Sequence, residues 1–342
     1  MANSQIDIYE IGEALPIAVV GEPSDLSESD QKTIRSMIGS DTRNFMGTLA
    51  LTWLLIILAI TVAVHLNSML ANVAVICFIA TRQNVLGLLT HEQVHSLGLR
   101  SQLGDAITNA FCAFPILITL QGYRHIHLTH HRKYFTELDP DYRRKQGKQW
   151  TFPQSTQAFL STLFCDLIGL SLVSTIRGKK PDKAMDKKGQ KPNIVFHLGY
   201  YGAIALALTL TNTWTYFLLY WIVPIATVLQ VIVRWGAVSE HRYNLVNPSI
   251  QESTPLIQPR WWEALVMPNL NFALHVYHHW YPTIPFNKLP LVHNIFVDSG
   301  LVNSEHVFDG YIDYFLFLVA KGRHKIEKTI EQQPDMHTLT PS

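Results

Sequence analysis

The sequence predicts an all-α integral membrane protein. Four transmembrane helices in two hairpins carry a histidine-rich cytoplasmic cap, with interfacial helices beside them. Three observations predict this. The apolar residues of the 342-residue chain are gathered into blocks, several of them close to the roughly 20 residues that cross a bilayer. Histidines are clustered as HEQVH at 91–95, HLTHH at 127–131 and HVYHH at 275–279. Lysine and arginine are absent from the two short turns between apolar blocks and crowd the segments beside the histidines.

Taken in order, residues 1–46 form a polar N-terminal segment whose first forty-odd residues are rich in Asp and Glu. No basic stretch leads into an apolar core there, so no cleaved signal peptide is expected. Residues 47–66 form the first span, and Asn67-Ser68 turn the chain into a second that starts at Met69. The second apolar run is short, so a long helix should leave the membrane and carry His91 and His95 beyond it. Residues 194–210 and 214–233 form the other hairpin, joined at 211–213. Residues 106–120, with Pro115, and 158–175, with Asp166, are marginal in length. Placing both in the interface keeps all three histidine clusters on one side of the membrane. Arg132, Lys133, Arg143, Arg144, Lys145 and Lys148 follow the second cluster, and a basic run over 177–191 precedes the third span. The positive-inside rule then makes the histidine face and both termini cytoplasmic, with the basic run a solvated loop near headgroups. Residues 47–310 form one membrane domain. Residues 311–342 form a peripheral amphipathic helix (311–332) and a disordered tail from Gln333.

The net charge of +1 gives no reason to expect a nucleic-acid partner. Cys77, Cys112 and Cys165 form no CxxC pair, which leaves no sign of a disulfide framework, thiolate metal site or iron–sulfur cluster. On a helix, His91 and His95 share a face, as do His127 with His130 and His131, and His275 with His278 and His279. Imidazoles buried without partners cost free energy, so something must fill their lone pairs. All-nitrogen ligation suits iron, zinc, copper or nickel, and eight ligands imply two ions, or one ion with several spare histidines. His241, emerging where the fourth span should end, is a ninth candidate. The first cluster also fits HExxH, in which a glutamate activates a zinc-bound water. A membrane zinc protease would use His91, His95 and Glu92 but leave both HxxHH clusters unexplained.

With three boxes in this order, the chain resembles the membrane-bound fatty acid desaturase family over about residues 46–293. The boxes stand as His91/His95, His127/His130/His131 and His275/His278/His279. The acidic stretch Glu137-Leu138-Asp139-Pro140-Asp141, Asn271, Tyr281-Pro282-Thr283-Ile284-Pro285 and Leu289-Pro290 also look like family features. The resemblance implies a four-span fold and a cytoplasmic di-iron site ligated by these histidines, with a His or Asn ligand near His241. It implies that O2 and two external electrons are used to attack an unactivated C–H bond, with a lipid or acyl chain as substrate. Hydroxylation or ketolation of an alkane, sphingolipid or carotenoid is the neighbouring alternative, and some bacterial members of similar appearance act on small non-lipid metabolites. Glu92 stands where many members have Asp; it and Asp139 are expected to orient ligand imidazoles. Nothing resembles a fused cytochrome b5 motif or a rubredoxin cysteine pair. The electron donor is therefore expected to be a separate protein, such as a ferredoxin or cytochrome b5, attracted by the basic surface. Arg82 is expected to snorkel to the interface and Trp261-Trp262 to anchor there. His125 is expected at the surface or behind the ligands. His65, His197, His293, His306, His324 and His337 are isolated and expected to be ordinary.

Overall fold

The computed structural model describes residues 15–177 and 193–319. The basic run over 177–191, apart from its first residue, and everything from residue 320, including the rest of the expected amphipathic helix and the tail, lie outside the described residues. Among the described residues the backbone is helical, joined by loops and two isolated bridges, Val19 with Val302 and Ile257 with Phe308.

After α1 (Glu28–Ser36), α2 (Thr42–Leu66) begins where the Asp41 carboxylate accepts the Asn44 N–H at 3.1 Å. It ends at Asn67, whose left-handed φ of 43° suits an asparagine, and Ser68 then caps α3 (Met69–Val94). The two helices pack closely along one another. Next come α4 (Gln102–Ile116) and α5 (Leu120–Arg132), bent by 89°. Pro115 and the left-handed Leu117, φ 63°, account for the break. Composition and length alone would let this bent pair count as a broken span or a re-entrant loop. The expected interfacial stretch at 158–175 is split into α7 (Thr156–Leu167) and α8 (Leu170–Arg177) at Gly169, after the short α6 (Pro140–Arg144). The Gly169 φ of 78° and the Ala226 carbonyl oxygen, 3.0 Å from where a Cβ would stand, favour glycine there.

The third and fourth long apolar helices are α9 (Ile194–Thr211) and α10 (Trp214–Glu240). With α2 and α3 they make four helices, among the described residues, long and apolar enough to cross a membrane. α10 passes through a π turn before Pro224. In that turn the Trp221 carbonyl accepts the buried Gln83 amide at 3.0 Å, and the Trp221 indole donates to the Pro115 carbonyl at 2.7 Å. Near the start of α10, the Tyr220 hydroxyl donates to Asn72 near the start of α3 at 2.7 Å. The two helices therefore run side by side in one direction and deliver His91, His95 and His241 to one end. Trp53 of α2 stacks on Trp221, with ring centroids 5.4 Å apart.

Beyond α10 lie α11 (Trp261–Val266), α12 (His275–Trp280), α13 (Leu289–Asp298) and α14 (Gly310–Val319). Trp261 is exposed, and Tyr311, Tyr314 and Leu318 of α14 are buried in a cluster with Trp235 and Phe159. The N-terminal segment is not a free arm where it is described. Ala18, Val19, Leu26 and Ile34 are buried against Val276, Tyr277 and Phe296 of α12 and α13.

One polar contact spans α7 and α10 inside the protein. Arg234 forms a fork with both oxygens of Asp166, and both side chains are buried. Removing one partner would strand the other charge. Asp166→Ala is therefore expected to cost roughly 3–5 kcal/mol, read as a lower melting temperature in detergent. Replacing both, with Asp166→Leu and Arg234→Met, should recover most of the loss. An unchanged melting curve for Asp166→Ala would show that the pair adds nothing.

Candidate metal centre

The candidate ligand histidines come from four elements. His91 lies in the last turn of α3 and His95 is its C-cap; His127, His130 and His131 lie on α5; His241 is the C-cap of α10; His275, His278 and His279 lie on α12. The fold sorts them into two groups. In one, His91, His95, His127 and His278 each offer a ring nitrogen, all within 4.8 Å of one another. In the other, His130, His241 and His279 do the same.

The remaining two box histidines lie against these groups. His131 Nε2 is 2.9 Å from His127 Nε2 and 3.1 Å from His278 Nε2, on the side of the first group. The His275 ring centroid lies 4.7 Å from that of His241 and 4.8 Å from that of His279, on the side of the second. His131 stacks on His279 at 4.4 Å, joining the groups.

The donor set tests whether metal fits. His95 Nε2 and His127 Nε2 are 2.9 Å apart, His130 and His241 Nε2 3.2 Å, and His241 and His279 Nε2 3.0 Å. Two nitrogens at about 2.1 Å from one ion and at right angles would be about 3.0 Å apart. Protons and open lone pairs must alternate across these contacts. His130 Nδ1 donates to Asp139 Oδ2 at 2.7 Å, which leaves its Nε2 a bare lone pair facing His241. His241 Nε2 carries at most one proton and faces both His130 Nε2 and His279 Nε2. The Nδ1 atoms of His91, His275 and His278 are also buried without a hydrogen-bond partner. A cation in each group would answer the converging lone pairs, and the residues fit two metals.

The supporting shell is polar where it fixes tautomers and apolar elsewhere. Asp139 also accepts the Phe135 N–H at 3.0 Å and, through Oδ1, the Asp141 and Tyr142 N–H groups that begin α6. His241 Nδ1 faces the Tyr134 and Thr254 hydroxyls at 3.3 and 3.4 Å. Phe272 stands edge-on to His91 at 4.4 Å. Glu92 does not reach an imidazole. Its Oε2 accepts the Phe286 N–H at 3.2 Å and its Oε1 is buried without a partner. The HExxH reading needs that carboxylate on a metal-bound water, and here one of its oxygens is held by a backbone amide. His293, expected to be ordinary, contacts the Tyr277 hydroxyl at 3.0 Å and so supports α12 from behind. His125 joins neither group.

A model of the fatty acid desaturase family matches residues 68–306, which includes every histidine of both groups. The chain belongs to the fatty acid desaturase family. A search of curated proteins finds no match. For this desaturase-family chain, membership implies an oxidoreductase associated with a membrane, in accord with its four long apolar helices.

Burial keeps most of these imidazoles neutral, with lone pairs open to a metal. Burial first, and neighbouring imidazoles second, hold His241, His275, His278 and His279 well below the ordinary histidine value. Burial, aided by Arg124, takes His95 down to about 4. A lowered pKa leaves the lone pair free below pH 6.5, so protons should displace metal only in more acidic solution. Bound metal is expected to stay constant from neutral pH to about 5 and to fall towards 4. Metal analysis after equilibration at each pH checks this; loss centred on 6.5 would contradict it.

Proposed function

We propose that the protein is a membrane-bound acyl desaturase. The observation that carries this reading is the pair of buried histidine groups within a chain of the desaturase family. His91, His95, His127, His131 and His278 would hold one iron; His130, His241, His275 and His279 would hold the other. Two adjacent C–H bonds of a lipid or acyl-thioester chain break and one C=C bond forms. O2, two protons and two electrons from a separate donor are consumed, and two waters are released. The bound irons supply the oxidising power that no side chain has.

The protein's own residues orient and exclude. Asp139 keeps the proton of His130 on Nδ1 and its Nε2 open, and the hydroxyls of Tyr134 and Thr254 hold His241. Phe272 closes an apolar wall against His91. The four long helices are read as two hairpins with the histidine face cytoplasmic, where the basic residues around Arg132 and Arg144 would attract an acidic ferredoxin or cytochrome b5.

Two measurements test the reading: metal analysis of the purified protein, and untargeted mass spectrometry of lipids from an expressing host and its empty-vector control. Expected are about two irons per chain and a product lighter than its precursor by two hydrogens. A product heavier by one oxygen would mean that the same site hydroxylates. A single zinc would sink the oxygen-dependent reading altogether.

A further inference from the structure

Arg124 falls outside every histidine pattern, yet it joins two of the elements that build the first group. The last four carbonyls of an α-helix have no partner within it, and α3 ends at Val94 in the turn that carries His91 and His95. The Arg124 guanidinium supplies donors there. Nη2 donates to the Gln93 carbonyl at 2.9 Å and Nε to the Val94 carbonyl at 3.3 Å. Its other face holds Asp105 of α4 through Nη1 at 2.6 Å and Nη2 at 2.8 Å. Gln93 completes the knot. Its amide donates to Asp105 at 2.9 Å and to the Leu99 carbonyl at 2.7 Å, and its oxygen accepts the Leu99 N–H at 2.9 Å.

Arg124 precedes His127 by three residues on α5 and so shares its side of the helix. One guanidinium thus fixes His91 and His95 relative to His127, three of the four members of the first group. Asp105 neutralises a positive charge that would otherwise stand uncompensated near a cation site. His130 of the second group is held independently, by Asp139.

We infer that Arg124 is a positioning residue for the His91–His95–His127–His278 group, as Asp139 is for the other, so that the two metal positions have separate supports. This rests on the two-metal reading above. A lysine cannot replace it fully, because the contact needs a planar fork that meets a carboxylate and two carbonyls at once.

The test strips the purified full-length protein of metal, titrates it with cobalt(II), and counts tight equivalents from the visible absorption of the bound ion. Melting curves run in parallel. Wild type should take up two equivalents. Arg124→Gln should keep one and bind the other 10–100-fold more weakly. Asp139→Asn should also keep one, with a different cobalt spectrum, because the ion it retains sits in the first group. The double variant should keep none. Arg124→Gln binding two equivalents like wild type would overturn the inference, as would loss of both with an unchanged melting curve. If Arg124→Gln does not fold, Arg124→Lys decides: about tenfold weakening of one equivalent supports the assignment, and two unweakened equivalents refute it. Wild type taking up one equivalent or none would instead be a failure of the two-metal reading, and the inference would fall with it.

Discussion

His278→Ala is expected to leave the protein folded and in the membrane while lowering turnover at least a hundredfold. His278 is fully buried on α12, its ring 4.6 Å from that of His91 and 4.9 Å from that of His95, and its Nε2 faces His131. Truncation removes a nitrogen from the centre of the first group and leaves a space that water can enter but cannot fill with equal donor strength. The fold should survive because His278 Nδ1 has no hydrogen-bond partner to lose, and Phe272 and His275 still line the site. Membrane fractionation and a melting curve check the fold, metal analysis should show a deficit, and product formation should vanish. A His278→Ala enzyme with wild-type turnover would remove this residue from the ligand set, and with it the rationale for the first group.

Asp139→Asn is expected to cost nearly as much by a different route. The carboxylate meets donors on every side: His130 Nδ1 and the Phe135 N–H on one oxygen, the Asp141 and Tyr142 N–H groups on the other. An amide has one oxygen. If that oxygen continues to cap α6, the new NH2 group confronts the Phe135 N–H and the His130 nitrogen. His130 would then shift its proton to Nε2, the atom that faces His241, and close itself as a ligand. Metal affinity at the second group should fall about 10–100-fold, with only a modest change in melting temperature because α6 keeps its cap. Unchanged affinity would mean that the tautomer of His130 is fixed by something other than Asp139.

The histidines were legible because their signal is local. Ligands on one helix face must recur at three and four residues, and that period survives in the linear sequence at His91/His95, His127/His130/His131 and His275/His278/His279. The four long apolar helices were legible for a similar reason, since a bilayer demands an unbroken run. Their ends were less so: α2 starts at Thr42 and α10 continues to Glu240, past the purely apolar residues, because caps and packing set a helix end rather than hydropathy. Contacts between distant segments leave no period to read. Arg124 finds Asp105 across the 89° bend of α4 and α5, and Glu92 finds Phe286 across 194 residues. The burial of Ile34 against Val276 and Tyr277 follows from a three-dimensional meeting that a polar segment does not announce.

The four long helices also differ in how much the protein leans on them. α9 has no buried residue, whereas α3 is buried continuously from Leu89 to Val94. A helix whose side chains meet the surrounding lipid is constrained in kind but not in shape, since any apolar residue of good helix propensity serves. The last turn of α3 has no such latitude, because every side chain there has a fixed neighbour. Random variation along this chain should therefore be filtered very unevenly. Outside the face of His197, Tyr200 and Tyr201 that packs on Phe114, α9 would drift among Leu, Ile, Val, Ala and Phe, while the residues a few ångströms from the histidine groups stay frozen.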